Sequence, residues 1–299
     1  MHFVFSNLPT PDPFLYHSLM SDYNVERMTR DEIKLAVDWA AREGWNPGAN
    51  DADCFHAIDP NGFFKGTLDG KTIGCASALI YDDKWAFCGF YIVDPDHRAS
   101  GYGIQITQAR LDYIGDRNAG LDGVVDMQDK YARLGYEMAH RSIRYAHTPT
   151  ESKEVSPQIM PVGQVPFYDL VDFDARHFFA RRESFLDCWL SQSTHTALAL
   201  VDDGRLKGYG VIRKCETGHK IGPLFADDAE VAEALYQALC NHGLNEPVYL
   251  DIPEPNTAGI EMAKRYEMDY VFECGRMYLK DDPGLPLQNI FGITTFEAG

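Results

Sequence analysis

The chain lacks any apolar run of 18 residues, which excludes a transmembrane helix. It is poor in basic residues. Lys and Arg number 27 against 45 Asp and Glu, for a formal charge of −18. A polyanion needs a basic face, so nucleic acid is excluded as a partner, and so are anionic membrane surfaces. An acidic protein attracts cationic small molecules or Lys-rich chains instead. The chain has no C-x-x-C pair. Its seven cysteines are scattered and mostly flanked by apolar residues, which argues against a disulfide framework or a zinc site; no metal is expected. The first residues have no basic stretch followed by an apolar one, and Pro9, Pro11 and Pro13 interrupt them. No signal peptide is expected, and a reducing, cytoplasmic setting fits best.

What is present is a repeated order of elements. The length of 299 residues favours two domains. Residues 1–22 read as an extension. Thr29 and Glu32 form a capping box at the start of a helix that ends near Gly44, and Asp51 starts a second, short helix. Strands are expected at 62–67, 71–81 and 84–93, with a hairpin turn at Asp69-Gly70. A glycine-rich loop, a helix, a short strand at 123–126, a helix from Gln128 and a strand at 141–146 follow. Residues 149–166, rich in Pro, Ser, Glu and Gln, read as a linker. The order then recurs: a helical stretch at 174–189, a hairpin at Asp203-Gly204, a third strand, a helix capped by Asp228, a strand, a helix and a last strand. The interval from Gly70 to Gly135 matches that from Gly204 to Glu267 within two residues. A duplicated α/β unit, a mixed sheet with helices, is the simplest account.

The strongest chemical signal is Arg98-Ala99-Ser100-Gly101-Tyr102-Gly103, after an apolar strand and at the start of a helix. A helix N-terminus presents unpaired N–H groups and partial positive charge, which suit a pyrophosphate. The glycines let phosphate oxygens approach the backbone, and Arg98 adds a permanent cation. An R-x-x-G-x-G string occurs by chance in ~0.1 of chains this long, so its position between strand and helix carries the weight. A dinucleotide site fits poorly, because three antiparallel strands precede the loop and no G-x-G-x-x-G exists. A P-loop ending in Gly-Lys-Ser/Thr is also absent.

On these residues the chain resembles the GNAT acyltransferases. Ile92 to Gly103 is similar to their acyl-CoA loop, Q/R-x-x-G-x-G/A, and Tyr131-Ala132-Arg133-Leu134-Gly135-Tyr136 to their later Y-x-x-L-G-F/Y segment. The runs 38–48 and 291–297 resemble a two-domain GNAT subfamily with a diverged second half. The resemblance implies tandem GNAT-like domains. An acyl-CoA-binding catalytic domain would span 23–148, a diverged domain 167–281 and a tail 282–299.

The resemblance also implies acetyl-CoA or another acyl-CoA as co-substrate. A bulge in the fourth strand would free backbone groups near Ile92 and Val93 for the pantetheine arm. Arg98, Ala99, Ser100, Gly101, Tyr102 and Gly103 would hold the pyrophosphate, and Tyr131 would protonate the departing thiolate. Tyr131 also reads as a tyrosine packed on the sheet. Glu43 and Trp45, between the first two helices, are candidates for the acceptor pocket, though each also reads as structural. No carboxylate inside the strand 84–93 offers itself as a base.

In the second half the equivalent loop is Gly222 to Asp228. Its two aspartates would repel a pyrophosphate, and Ala263 stands where Tyr131 stands. This half is expected to have lost cofactor binding. Three roles stay open for it: covering the acceptor cleft, forming a homodimer contact, or stabilising the first half. The function expected is N-acyl transfer from acyl-CoA to a primary amine, on a small molecule or a peptide. The alternative is a non-catalytic acyl-CoA sensor, which would need no acid at Tyr131.

Overall fold

A computed structural model describes residues 22–299. The expected extension 1–22 lies outside the described residues, except for Asp22. The first half runs β1 (Tyr23–Arg27), α1 (Arg30–Arg42), α2 (Asp51–Ile58), β2 (Phe63–Leu68), β3 (Lys71–Ile80), β4 (Trp85–Val93), α3 (Tyr102–Ile114), β5 (Asn118–Val124), α4 (Gln128–Arg133) and β6 (Glu137–His147). The second runs β7 (Ile159–Pro161), α5 (Phe167–Asp174), α6 (Glu183–Ser191), β8 (His195–Asp202), β9 (Arg205–Lys214), β10 (His219–Ala226), α7 (Ala229–Cys240), β11 (Val248–Pro253), α8 (Thr257–Arg265), β12 (Asp269–Tyr278) and β13 (Ile290–Gly292).

Local chemistry accounts for many of the boundaries. The Thr29 N–H donates to the Glu32 carboxylate at 2.8 Å, as a capping box requires. Asp69 and Gly70 have φ of 49° and 79°, and Asp203 and Gly204 have 47° and 72°. These left-handed pairs make the tight hairpins that join β2 to β3 and β8 to β9.

Several expectations are corrected. β1 is a five-residue strand pairing antiparallel with β2, where the sequence reading began with a helix. The strand expected at 123–126 is β5, and Val125–Met127 is a 3-10 turn. The helical stretch expected at 174–189 is two helices, α5 and α6. The stretch read as a linker holds β7, which pairs with β8. The stretch read as a tail holds β13, and residues 290–299 are all buried.

One sheet of 13 strands runs through both halves in the order β1-β2-β3-β4-β5-β12-β6-β11-β10-β9-β8-β7, with β13 on β10. Read from either end the order is the same, with one exchange. β12 of the second half lies between β5 and β6, and β6 lies between β12 and β11. Each exchanged strand is held by a buried bidentate ion pair between directly opposed residues. Arg276 on β12 meets Asp122 on β5 at 2.8 Å twice. Arg144 on β6 meets Asp251 on β11 at 2.6 and 2.7 Å. Such pairs specify register, because a slip would strand a buried charge. The main core also crosses the halves. Phe55 packs on Phe90 and on Trp189, with ring centroids 5.5 and 6.4 Å apart.

Candidate active site

β4 and β5 are parallel and paired only from Trp85↔Asn118 to Cys88↔Leu121, although β4 continues to Val93. Past Cys88 the two strands part. On the other side, the β3–β4 register shifts between Cys75↔Ile92 and Ser77↔Gly89. Two residues of β4, Phe90 and Tyr91, therefore face one of β3, and Phe90 takes a left-handed φ of 49°. This is the bulge expected before Ile92 and Val93.

The loop that follows curls through left-handed residues, Ala99 at φ 61° and Gly101 at 87°. Gly101 is the N-cap of α3 and offers no capping side chain, and the first turn holds no acid. The helix start is thus left positive. Ser100 and Gly101 are exposed there, and Tyr102 and Gly103 are part-buried. Arg98 donates from Nε to the Val93 carbonyl at 2.8 Å and from Nη2 to Glu43 Oε1 at 2.5 Å.

The corresponding places of the second half are closed. β10 and β11 are paired only from His219↔Val248 to Ile221↔Leu250, and β13 pairs antiparallel with β10 at Leu224 and Phe225. The chain's own strand sits where β10 continues beyond its pairing with β11. At the start of α7, Asp228 accepts from the Val231 N–H at 2.9 Å, so a carboxylate caps the helix. In the second half a strand occupies the edge of β10, and a carboxylate occupies the helix start.

Between the parted strands of the first half lies a cleft. Trp45, Phe90, Phe272 and Phe296 give it apolar walls; Tyr131, Arg110, Asp122 and Glu297 give it polar ones. Tyr131 is on α4, its ring edge-on to Tyr136 at 6.2 Å. Burial pushes its phenol up to about 12, against the opposing pull of Arg110. Arg110 is 1 % exposed, with Nε and Nη2 unpartnered and its guanidinium 5.5 Å from the Tyr91 ring centroid.

Of the sequence candidates, Tyr131 and Trp45 line this cleft together, and Trp45 also accepts through its carbonyl from Arg144 Nη1 at 2.7 Å. Glu43 does not line it; its carboxylate sits on Arg98 in the loop before α3. Arg110, Asp122 and Glu297 were missed. Glu297 had one signal, a lone carboxylate inside the apolar run 290–298. Among the described residues no His, Cys, Asp and Glu cluster could hold a metal, and no helix is long and apolar enough to cross a membrane.

Comparison with known proteins agrees with this architecture. The model of the Acetyltransferase (GNAT) family matches residues 16–136, and that of an Acetyltransferase (GNAT) domain matches residues 170–292. Holothin acyltransferase of Pseudoalteromonas sp. (strain SANK 73390) is 25% identical over 271 residues, 90% of this chain and 92% of that protein. The uncharacterized N-acetyltransferase YitH of Bacillus subtilis is 24% identical over 194 residues, 64% of this chain and 68% of that protein. A solved Pyrococcus horikoshii chain assigned to the acetyltransferases superposes with a TM-score of 0.80 at 20% identity, covering 100% of both chains. A tandem GNAT protein from the clavulanic acid biosynthesis pathway does so at 0.62 and 13% identity, covering 87% of this chain and 100% of that one. The two family matches together span well over half of the chain, which belongs to the GNAT acetyltransferases and carries two such domains in tandem.

Proposed function

We propose that this transferase moves an acetyl or short acyl group from acyl-CoA to a primary amine by direct attack, and that it does so in the first half alone. The observation that carries the reading is the contrast between the two strand gaps. The gap between β4 and β5 opens into the cleft, whereas β13 and Asp228 close its counterpart.

In this reading the pyrophosphate lies on the amides of residues 98–103, and the pantetheine arm pairs with the free edge of β4 near Ile92 and Val93. The thioester then faces Tyr131. The amine attacks the carbonyl carbon, and the oxyanion collapses to expel the thiolate, which takes the Tyr131 proton. The Arg110 guanidinium, with Nε and Nη2 unpartnered, favours negative charge in the same wall. An acyl-CoA sensor would have no use for an acid beside the thioester, so the position of Tyr131 supports transfer. The aromatic walls suit an amine with an apolar body, and the name of the holothin relative is consistent with a small-molecule acceptor. Titration of the full chain with CoA in a calorimeter tests the reading. One site per chain, lost in Gly101→Glu, is expected. Two sites, or a site indifferent to Gly101→Glu, would overturn it.

A further inference from the structure

Residues 290–299 carry a carboxylate into the cleft. Glu297 is 2 % exposed, and both its carboxylate oxygens are buried without a hydrogen-bond partner. A carboxylate removed from water is costly unless donors replace the lost hydration. The chain nevertheless fixes it in place. Thr295 Oγ1 accepts from the N–H groups of Glu297 and Ala298 at 3.1 and 2.9 Å, and the Tyr81 hydroxyl donates to the Ala298 carbonyl at 2.6 Å. The backbone lies so close to β4 that a Cβ on Gly89 would stand 2.2 Å from the Glu297 carbonyl oxygen. Gly89 immediately precedes the bulge, so Glu297 is anchored where β4 turns toward the cleft.

The charged groups around it come from every neighbouring element. Arg144 on β6, Arg213 on β9 and Lys220 on β10 all feel its charge. Arg144 is engaged by Asp251, and Arg213 lies 3.2 Å from Asp51 with Nη1 and Nη2 unmatched. Lys220 reaches the Trp45 carbonyl at 3.4 Å. From β12, Cys274 feels it too. Arg110, Asp122 and Tyr131 share the cleft wall with it.

We infer that Glu297 is the general base of the transfer. The inference rests on the acyl-CoA-to-amine reading above. An incoming ammonium gives one proton to Glu297, which passes it to solvent. The neutral nitrogen attacks the thioester carbon, forming the C–N bond as the C=O electrons move to oxygen. Collapse breaks the C–S bond, and the thiolate takes the proton of Tyr131. The second proton leaves the nitrogen and restores Tyr131 through water. The products are the amide, CoA thiol and one released proton.

The test compares the full-length wild type with Glu297→Gln and Glu297→Asp on an amine that the wild type acylates. Steady-state rates are measured across pH, alongside thermal unfolding and acetyl-CoA calorimetry. Glu297→Gln should lose ~10²-fold or more in kcat near neutral pH, the usual effect of losing a general base, with acetyl-CoA affinity unchanged. Its kcat/KM should keep climbing with pH toward the amine's own pKa, where the wild type levels off. A folded Glu297→Gln protein with wild-type kcat would overturn the assignment and leave Glu297 a counter-charge. Should Glu297→Gln not fold, Glu297→Asp keeps the charge and retracts it by one methylene. A reduced kcat with the wild-type pH profile supports the base, and undiminished kcat overturns it. A wild type that binds acetyl-CoA yet acylates no amine overturns the base together with the transfer reading.

Discussion

Arg98 donates from its guanidinium to Glu43 at 2.5 Å, so the cation of the proposed phosphate loop is held by a carboxylate between the first two helices. In the proposed complex the pyrophosphate competes with Glu43 for it. The pair is partly exposed, and exposed pairs are worth ~0.2–1 kcal/mol. Glu43→Gln should therefore tighten acetyl-CoA binding by up to about fivefold, more at low salt than at high. Calorimetry at two salt concentrations checks this. Weaker binding would mean that Glu43 positions Arg98 rather than opposing the phosphate.

Tyr131→Phe removes one hydroxyl and keeps the ring. If Tyr131 protonates the thiolate, kcat should fall by ~10²-fold, with a smaller change in KM for acyl-CoA. A thioester with a more acidic thiol should partly restore it. The pH profile adds a second reading. A phenol acts as an acid only while protonated, and burial raises this one to about 12. Wild-type activity should then show no loss attributable to Tyr131 at the ordinary phenol pKa of ~10. A basic limb near that value, absent in Tyr131→Phe, would contradict the raised phenol pKa.

Gly89→Ala tests the seat of the 290–299 segment. The added Cβ would meet a backbone oxygen, not a mobile side-chain end, so the segment must shift. Overpacking of this kind costs ~1–3 kcal/mol. Thermal unfolding should report that loss, and turnover should fall further than stability alone explains. Unchanged stability would show that the segment yields easily and is not a fixed part of the cleft.

Cys54 on α2 and Cys188 on α6 lie with their sulfurs 2.7 Å apart, and the hydrogen bond from Cys54 lowers the Cys188 thiol to about 7. Cys188 is part-exposed, and the other six cysteines are buried. Iodoacetamide near neutral pH should label Cys188 first, since the thiolate is the nucleophile. Peptide mass spectrometry reads the order. Slow labelling that begins only above pH ~8.5, the ordinary thiol value, would contradict the lowered pKa.

The parts that were legible in the sequence depend on near neighbours. Asp69-Gly70 and Asp203-Gly204 mark their hairpins because two consecutive left-handed residues need small or Asx side chains. Arg98 to Gly103 stood out because helix start, glycine and cation are adjacent. β5 was displaced because Asn118 to Val124 holds two glycines and an aspartate, which mask a strand. β1 has only five residues at a sheet edge. The exchange of β6 and β12 rests on Arg144–Asp251 and Arg276–Asp122, pairs more than a hundred residues apart whose partners no local pattern names. Glu297 belongs to the same class. Its place in the cleft depends on a fold that carries residue 297 back to Gly89.

The proposed activity is amine acylation from acyl-CoA in the first half. Its most direct test is mass spectrometric detection of acylated product across a panel of primary amines, using the full chain with acetyl-CoA and Gly101→Glu as the control. Product from the wild type, and none from a folded Gly101→Glu, is the predicted result. Equal product from both, or acetyl-CoA bound with no amine ever acylated, would rule this activity out.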